Sequence, residues 1–172
     1  LGLKSLLDVN VGKNSVINAN TVSFGIAPRI NACGRIGYEQ EAVKLFMTEN
    51  WVEARETTEK LNQYNRTRQE IEKNIFEEAK EIIEKNSMQN NNTIVIGKEG
   101  WHHGVIGIVA SKITEIYFKP TILIGFEDGI GKGSGRSVPG FDLHEALHSL
   151  GGYLEKYGGH EMAVGVTVKQ EK

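Results

Sequence analysis

Cysteine is nearly absent from this sequence: Cys33 stands alone among 172 residues. One thiol closes no intrachain disulfide and builds no cysteine-based zinc site, and such scarcity suits a reducing, cytoplasmic setting. Aspartate is almost as scarce, with Asp8, Asp128 and Asp142 far apart along the chain. A two-metal hydrolytic centre needs clustered Asp and His ligands. The chain has neither an Asp-His-His run nor a D-x-D pair, so no metal site is expected within it. A surplus of one charge is also missing. The formal net charge is −2, whereas nucleic-acid binders commonly carry a broad basic field. Any hold on phosphate must therefore be local. No apolar run approaches the roughly 18 residues of a membrane span, and no charged-then-apolar leader opens the chain. It begins at Leu1 rather than Met and reads as a piece of a longer protein.

What is present falls into three stretches. In residues 1–50, Leu3, Leu6, Leu7 and Val9 predict a short helix. Ser23–Gly37 contains a proline, glycines and two arginines, and is expected to be irregular. A helix from Glu39 to about Thr48 would turn Ala42, Val43, Leu45 and Phe46 inward. Residues 51–86 contain no Gly or Pro and are rich in Glu, Lys, Arg and Gln, all good helix formers. Ala54, Leu61, Tyr64, Ile71, Ile75, Ala79 and Ile82 mark one narrow apolar face. The pattern predicts one helix of roughly 50 Å that bridges or borders domains. Residues 86–92, rich in asparagine, read as a linker. Beyond them come a strand at 93–97, a buried helix at 104–118 stopped by Pro120, and a strand at 121–126. A glycine-rich strand or loop follows at 129–137. Asp142 is placed to cap a helix running to about Leu150, and a strand is expected over 160–168. Strand, helix, strand in this order predicts an α/β domain.

Four segments carry chemistry. GKGSGRS (131–137) joins backbone-exposing glycines, Gly135 among them, to Ser134, Ser137, Lys132 and Arg136. Exposed N–H groups, hydroxyls and a planar guanidinium all suit phosphate oxygens. The segment lacks P-loop spacing, and a hairpin with a surface arginine is the plain alternative. YGGHEMAVG (157–165) sets Gly158 and Gly159 before His160. That ring could donate to a phosphate or act as an acid, or merely close a tight turn. GWHHGVIG (100–107) opens a helix, and helix entries bind anions. His102 and His103 are adjacent and diverge, which makes a poor metal pair. Trp101 either stacks a base or joins the core. In APRINACGR (27–35), Arg29 and Arg35 flank Asn31 and could clamp phosphate or carboxylates.

In order along the chain, APRINACGR, LNQYNRTRQEIE, GWHHGVIGIVAS, GKGSGRSVPGFDLHEAL and YGGHEMAVGVTV resemble the RecJ-type single-strand-specific exonucleases of the DHH phosphoesterase superfamily. The resemblance covers essentially the whole chain. It implies an α/β fold: a DHHA1-like domain (93–172) with a mixed β-sheet flanked by helices, preceded by a long connecting helix and linker (51–92) and the tail of a DHH domain (1–50). It implies that Mn²⁺ or Mg²⁺ is held by an N-terminal DHH domain of the same polypeptide, outside these residues. The substrate so implied is single-stranded DNA, digested 5′ to 3′, and the partners include no membrane. Arg136, with Ser134, Gly135 and Ser137, would grip phosphate. His160, preceded by Gly159, would contact the scissile or terminal phosphate and is a candidate assisting residue. Arg29, Asn31 and Arg35 would line the cleft near the 5′ end, with His102 at a further anion site. Three positions depart from the family pattern: Cys33 and Glu161, where alanine is common, and His103, where proline is.

Two other functions remain open on the sequence. One is a DHH phosphoesterase acting on short oligonucleotides or cyclic dinucleotides. The other is a non-catalytic DHHA1 module that binds nucleic acid. The long helix and the APRINACGR segment favour the exonuclease, and these residues alone are expected to be catalytically silent.

Overall fold

The structure, a computed structural model, describes residues 1–11 and 17–171. The chain divides into two compact units, Leu1–Glu70 and Ile71–Lys172. The division falls inside one 35-residue helix, α4 (Trp51–Lys85), to which both units contribute.

The first unit is helical. Helix α1 (Gly2–Asn10) is followed by a π-helical turn (Thr21–Ile26), α2 (Ala27–Arg35), α3 (Glu39–Met47) and the start of α4. Leu6, Ile26, Cys33, Leu45, Ala54 and Leu61 form its core. Ser23–Gly37, expected to be irregular, is largely helix. Its helix breakers sit where they do little harm. Pro28 lies in the first turn of α2, where a missing N–H is tolerated. Proline cannot serve the Phe24 carbonyl one turn back, and Arg29 Nη1 donates to that oxygen at 3.2 Å. Gly37, at φ +83°, lies just beyond the helix end. In α3, Ala42 and Leu45 point inward as expected, but Val43 and Phe46 are exposed.

The second unit is a five-stranded sheet in the order β1-β2-β3-β5-β4, with helices on both faces. The strands are β1 (Ile94–Glu99), β2 (Thr121–Glu127), β3 (Ile130–Arg136), β4 (Lys156–His160) and β5 (Ala163–Lys169). Only β1 and β2 run parallel, joined through α5 (His103–Tyr117). The β2–β3 turn uses Asp128 (φ +49°) and Gly129 (φ +77°), both in the left-handed region that a two-residue type I′ hairpin needs. Helix α5 and the second half of α4 cover one face through Ile75, Ile83, Ile94, Ile106, Ile113 and Leu123. Each such side chain contributes roughly 1.5–3 kcal/mol by leaving water. Ile83, fully buried, is the deep position at the end of α4, and Ile82 only packs against it. The 86–92 segment holds a 3-10 turn at Met88–Asn90, and Met88 packs on the same core.

On the opposite face, α6 (Leu143–His148) covers Ile122, Val164 and Val166. Asp142 caps α6 by accepting from the Glu145 amide at 2.9 Å. The final strand expected over 160–168 is in fact a hairpin. Lys156–His160 forms β4, Glu161 and Met162 make the turn, and Ala163 opens β5. Val164 and Val166 of β5 turn inward, whereas Met162 belongs to the turn.

Candidate nucleic-acid interface

Strand pairing arranges the second unit's polar residues in rows. Side chains directly opposite one another in antiparallel strands share a face, and alternate residues along a strand return to it. Arg136 on β3 pairs with Ala163 on β5, which pairs with His160 on β4. Next come Ser134, Gly165 and Gly158, then Lys132, Thr167 and Lys156. All nine lie on the face that α5 covers at β2 and the near side of β3. The proof of the shared face is Gly107 of α5: a Cβ there would stand 2.8 Å from Ser134 Oγ and 3.2 Å from Arg136 Nη2. Further out, Gly158, His160 and Gly165 are exposed. A Cβ on Gly158 would meet nothing within 4 Å, and one on Gly165 only the Gly133 carbonyl at 4.0 Å. The result is an open, smooth sheet floor bordered by cations.

Arg136 is held in place rather than loose. Its Nη1 donates to Ser134 Oγ (3.1 Å) and to the Gly135 carbonyl (2.7 Å). Gly135 itself faces away, against Val164 and Leu143. Ser137 is buried, and its hydroxyl donates to the Phe141 carbonyl at 2.7 Å, which shapes the turn toward α6. The turn beside His160 is tied down at both residues. Ser137 N donates to the Met162 carbonyl, and Leu143 N to that of Glu161. His160 Nδ1 accepts from the Met162 amide at 3.3 Å, so the neutral ring carries its proton on Nε2, as a donor. Gly159 has φ +139° and lies against the Ala163 backbone.

His102 serves α5 directly, since its Nδ1 accepts from the Gly104 amide at 3.1 Å. Burial, and next the neighbouring His103, hold its pKa below the ordinary histidine value. As pH falls below about 6.5, the unfolded chain takes up this proton before the folded one does, so stability declines. The contribution is complete above that pH and is lost as pH falls through the lower folded-state value. His102→Asn keeps a capping acceptor that does not titrate. It should flatten the decline in thermal melts between about pH 5 and 8, and an unchanged slope would remove His102 as its source.

In the first unit the expected trio is split. Asn31 and Arg35, one turn apart on α2, are both exposed. Arg29 turns instead into a cavity of about 530 Å³ lined also by Asn10, Asn62, Asn65, Arg66 and Arg68. Its Nε donates to the side-chain Oδ1 atoms of Asn10 and Asn62, each at 2.8 Å. Burial lowers its pKa without discharging it. Arg66 and Arg68 carry no distinguishing signal in the sequence, because they sit among many Glu, Lys and Arg residues on the long helix. Cys33 is fully buried, and burial pushes its thiol up to about 11, which leaves it protonated and unreactive.

His144 and His148, an H-x-x-x-H pair four apart on α6, meet Tyr157, whose hydroxyl lies 2.7 Å from His148 Nδ1. Among the described residues, no group of three or more His, Cys, Asp or Glu side chains is arranged to hold a metal ion. Nor is any helix among them long and apolar enough to cross a membrane.

Residues 90–172 match the DHHA1 domain family. The chain is RecJ-like along its whole length. It is 42% identical over 99% of its residues to the single-stranded-DNA-specific exonuclease RecJ of Bacillus subtilis, and 35% identical over 99% to that of Escherichia coli. It covers 22% and 31% of those two proteins. The crystal structure of RecJ with Mn²⁺ from Thermus thermophilus superposes with a TM-score of 0.85 at 32% identity, over 99% of this chain and 24% of that one. A crystal structure of exonuclease RecJ bound to manganese gives 0.84 at 33% identity, over 99% of this chain and 41% of that one.

Proposed function

We propose that this chain is the strand-holding part of a single-strand-specific DNA exonuclease that digests from 5′ to 3′. The observation that carries the reading is the row Arg136–Ala163–His160, which runs from the edge of α5 out onto the part of the sheet face that α5 leaves open, with Ser134 beside it and a bare glycine floor. A guanidinium and an imidazole donor two strands apart, roughly 10 Å across the sheet, bracket a phosphate. The smooth floor lets sugar and backbone approach. Ser134 steers Arg136. Ser137, Gly135 and Gly159 support the grip by shaping the backbone around it. Arg29, Arg66 and Arg68 give the first unit a second phosphate-binding cavity, with Asn31 and Arg35 outside it.

RecJ structures similar to this chain contain Mn²⁺ or Mg²⁺. The residues described here do not fit such a centre. On this reading the hydrolytic step belongs to a metal-bearing DHH domain of the same polypeptide, and these residues alone do not cleave DNA.

The test is fluorescence anisotropy with single-stranded oligonucleotides, with and without a 5′-phosphate, beside a nuclease assay in Mn²⁺. Weak, salt-sensitive binding without cleavage is expected, because phosphate contacts release counterions. Arg136→Ala should weaken binding about tenfold or more, the worth of a charge-assisted contact, with stability changed by less than about 1 kcal/mol. Unchanged affinity would remove Arg136 from the grip, and metal-dependent cleavage by a pure sample would overturn the division of labour.

A further inference from the structure

The third row, Lys132–Thr167–Lys156, has no part in the grip described above. Both lysines are exposed, and among the described residues neither makes a hydrogen bond or ion pair. An exposed lysine on a sheet commonly pairs with a cross-strand carboxylate, yet the residue between these two is Thr167. The lysine Cα positions are two strand spacings apart, roughly 10 Å, so both ammonium groups can reach a point above the threonine hydroxyl. A depression of about 250 Å³ lies there, lined by Lys132, Lys156, Gly165 and Thr167 among others. The row extends on its inner side to Gly125 of β2, where a Cβ would stand 2.1 Å from the Trp101 carbonyl oxygen. The backbone leading into α5 thus closes the inner end, and the outer end is open.

We propose that Lys132, Lys156 and Thr167 form a second phosphate subsite for the same single strand, which rests on the strand-holding reading above. Two positive charges and a hydroxyl donor converging on one point suit a phosphodiester oxygen pair. Position along the sheet sets the strand's course. The Arg136 and Lys132 rows are four residues apart on β3, about 13 Å at the rise of a strand. Between them lie only Ser134, Gly165 and Gly158. The nucleic acid therefore runs along β3 and β5, not across them, with one phosphate held at the Arg136 row and a later one at the lysine row. The intervening nucleotide crosses the glycine floor, where no side chain stands in its way. A probe too short to span about 13 Å can occupy only one of the two subsites.

That length requirement separates this proposal from the one it rests on. The measurement is the affinity of the 172-residue chain and its variants for two probes. One is a 5′-phosphorylated dinucleotide. The other is a single strand of about eight nucleotides, within the usual range for single-strand binders. In the double variant Lys132→Ala/Lys156→Ala, the longer probe should bind about tenfold more weakly. Its log–log salt slope should fall by about 0.7, one single-strand phosphate contact. The dinucleotide should bind as before. Arg136→Ala should weaken both probes. If the lysine variant leaves both probes unchanged while Arg136→Ala weakens them, the subsite is wrong and the strand-holding reading stands. If the lysine variant weakens both probes equally, the lysines act as a diffuse field and no subsite exists. If the unaltered chain binds neither probe, both readings fall. Thermal melts of the double variant should match the parent, since both side chains are exposed and unpaired.

Discussion

Gly159→Ala should destabilise the Ile71–Lys172 unit by roughly 3–5 kcal/mol, lowering Tm by on the order of 15 °C or more for a unit of this size. Two costs combine. At φ +139° an L-residue is strained by about 1–3 kcal/mol. The added Cβ would also stand 2.2 Å from the Ala163 carbonyl oxygen and 2.8 Å from Val164 Cα. Both are backbone atoms of the paired strand, so relief requires separating β4 from β5. The hairpin end carrying His160 would go with it, and single-strand binding should fall together with stability. Gly158→Ala is the control one residue away. Nothing lies within 4 Å of its Cβ, and its expected change is within about 0.5 kcal/mol. Chemical denaturation followed by circular dichroism measures both. Equal effects would show that the hairpin does not need the left-handed geometry at Gly159.

Trp101→Ala should cost a similar roughly 3–5 kcal/mol, and here the sequence left a choice between base stacking and core. Trp101 is 5% exposed and packs in the cluster of α4, α5 and the sheet. Its indole N–H donates to Glu78 Oε2 at 2.7 Å. That bond, and then the contact with Lys98 at 2.9 Å, hold the Glu78 carboxyl below the ordinary glutamate value. Trp101→Phe keeps most of the buried area. It leaves Glu78, which is partly exposed, still paired with Lys98, so only about 1 kcal/mol is expected to go. Urea titrations of the two variants should therefore differ widely. A Trp101→Ala variant of full stability but weakened DNA binding would restore the base-stacking role.

Local signals were legible wherever one element's own residues decided the outcome. The 35-residue α4 follows from a run without Gly or Pro, and α5 from its dense apolar spacing and the stop at Pro120. The Asp142 cap was readable because capping depends on residues three apart. The errors came where punctuating residues occupy harmless places. Pro28 in a first helical turn made α2 look irregular. The glycine pair Gly158–Gly159 hid β4, because strand propensity counts glycine against a strand while pairing with Gly165 and Val164 holds it in one.

The sequence by itself determined most of the helical and strand segments and the family resemblance, and it singled out GKGSGRS and YGGHEMAVG as candidate phosphate contacts, because these depend on residue type at short range. Only the tertiary structure decided which of those residues lie together. Strand register set His160 and Arg136 in one row across Ala163, although 24 positions separate their numbers, 136 and 160. It turned Ser137 inward as a structural hydroxyl and split Arg29 from Asn31 and Arg35. It also aligned Lys132 with Lys156. Register is fixed by which valines and isoleucines must be buried on the far face, and a slip of one residue would send every side chain to the other side.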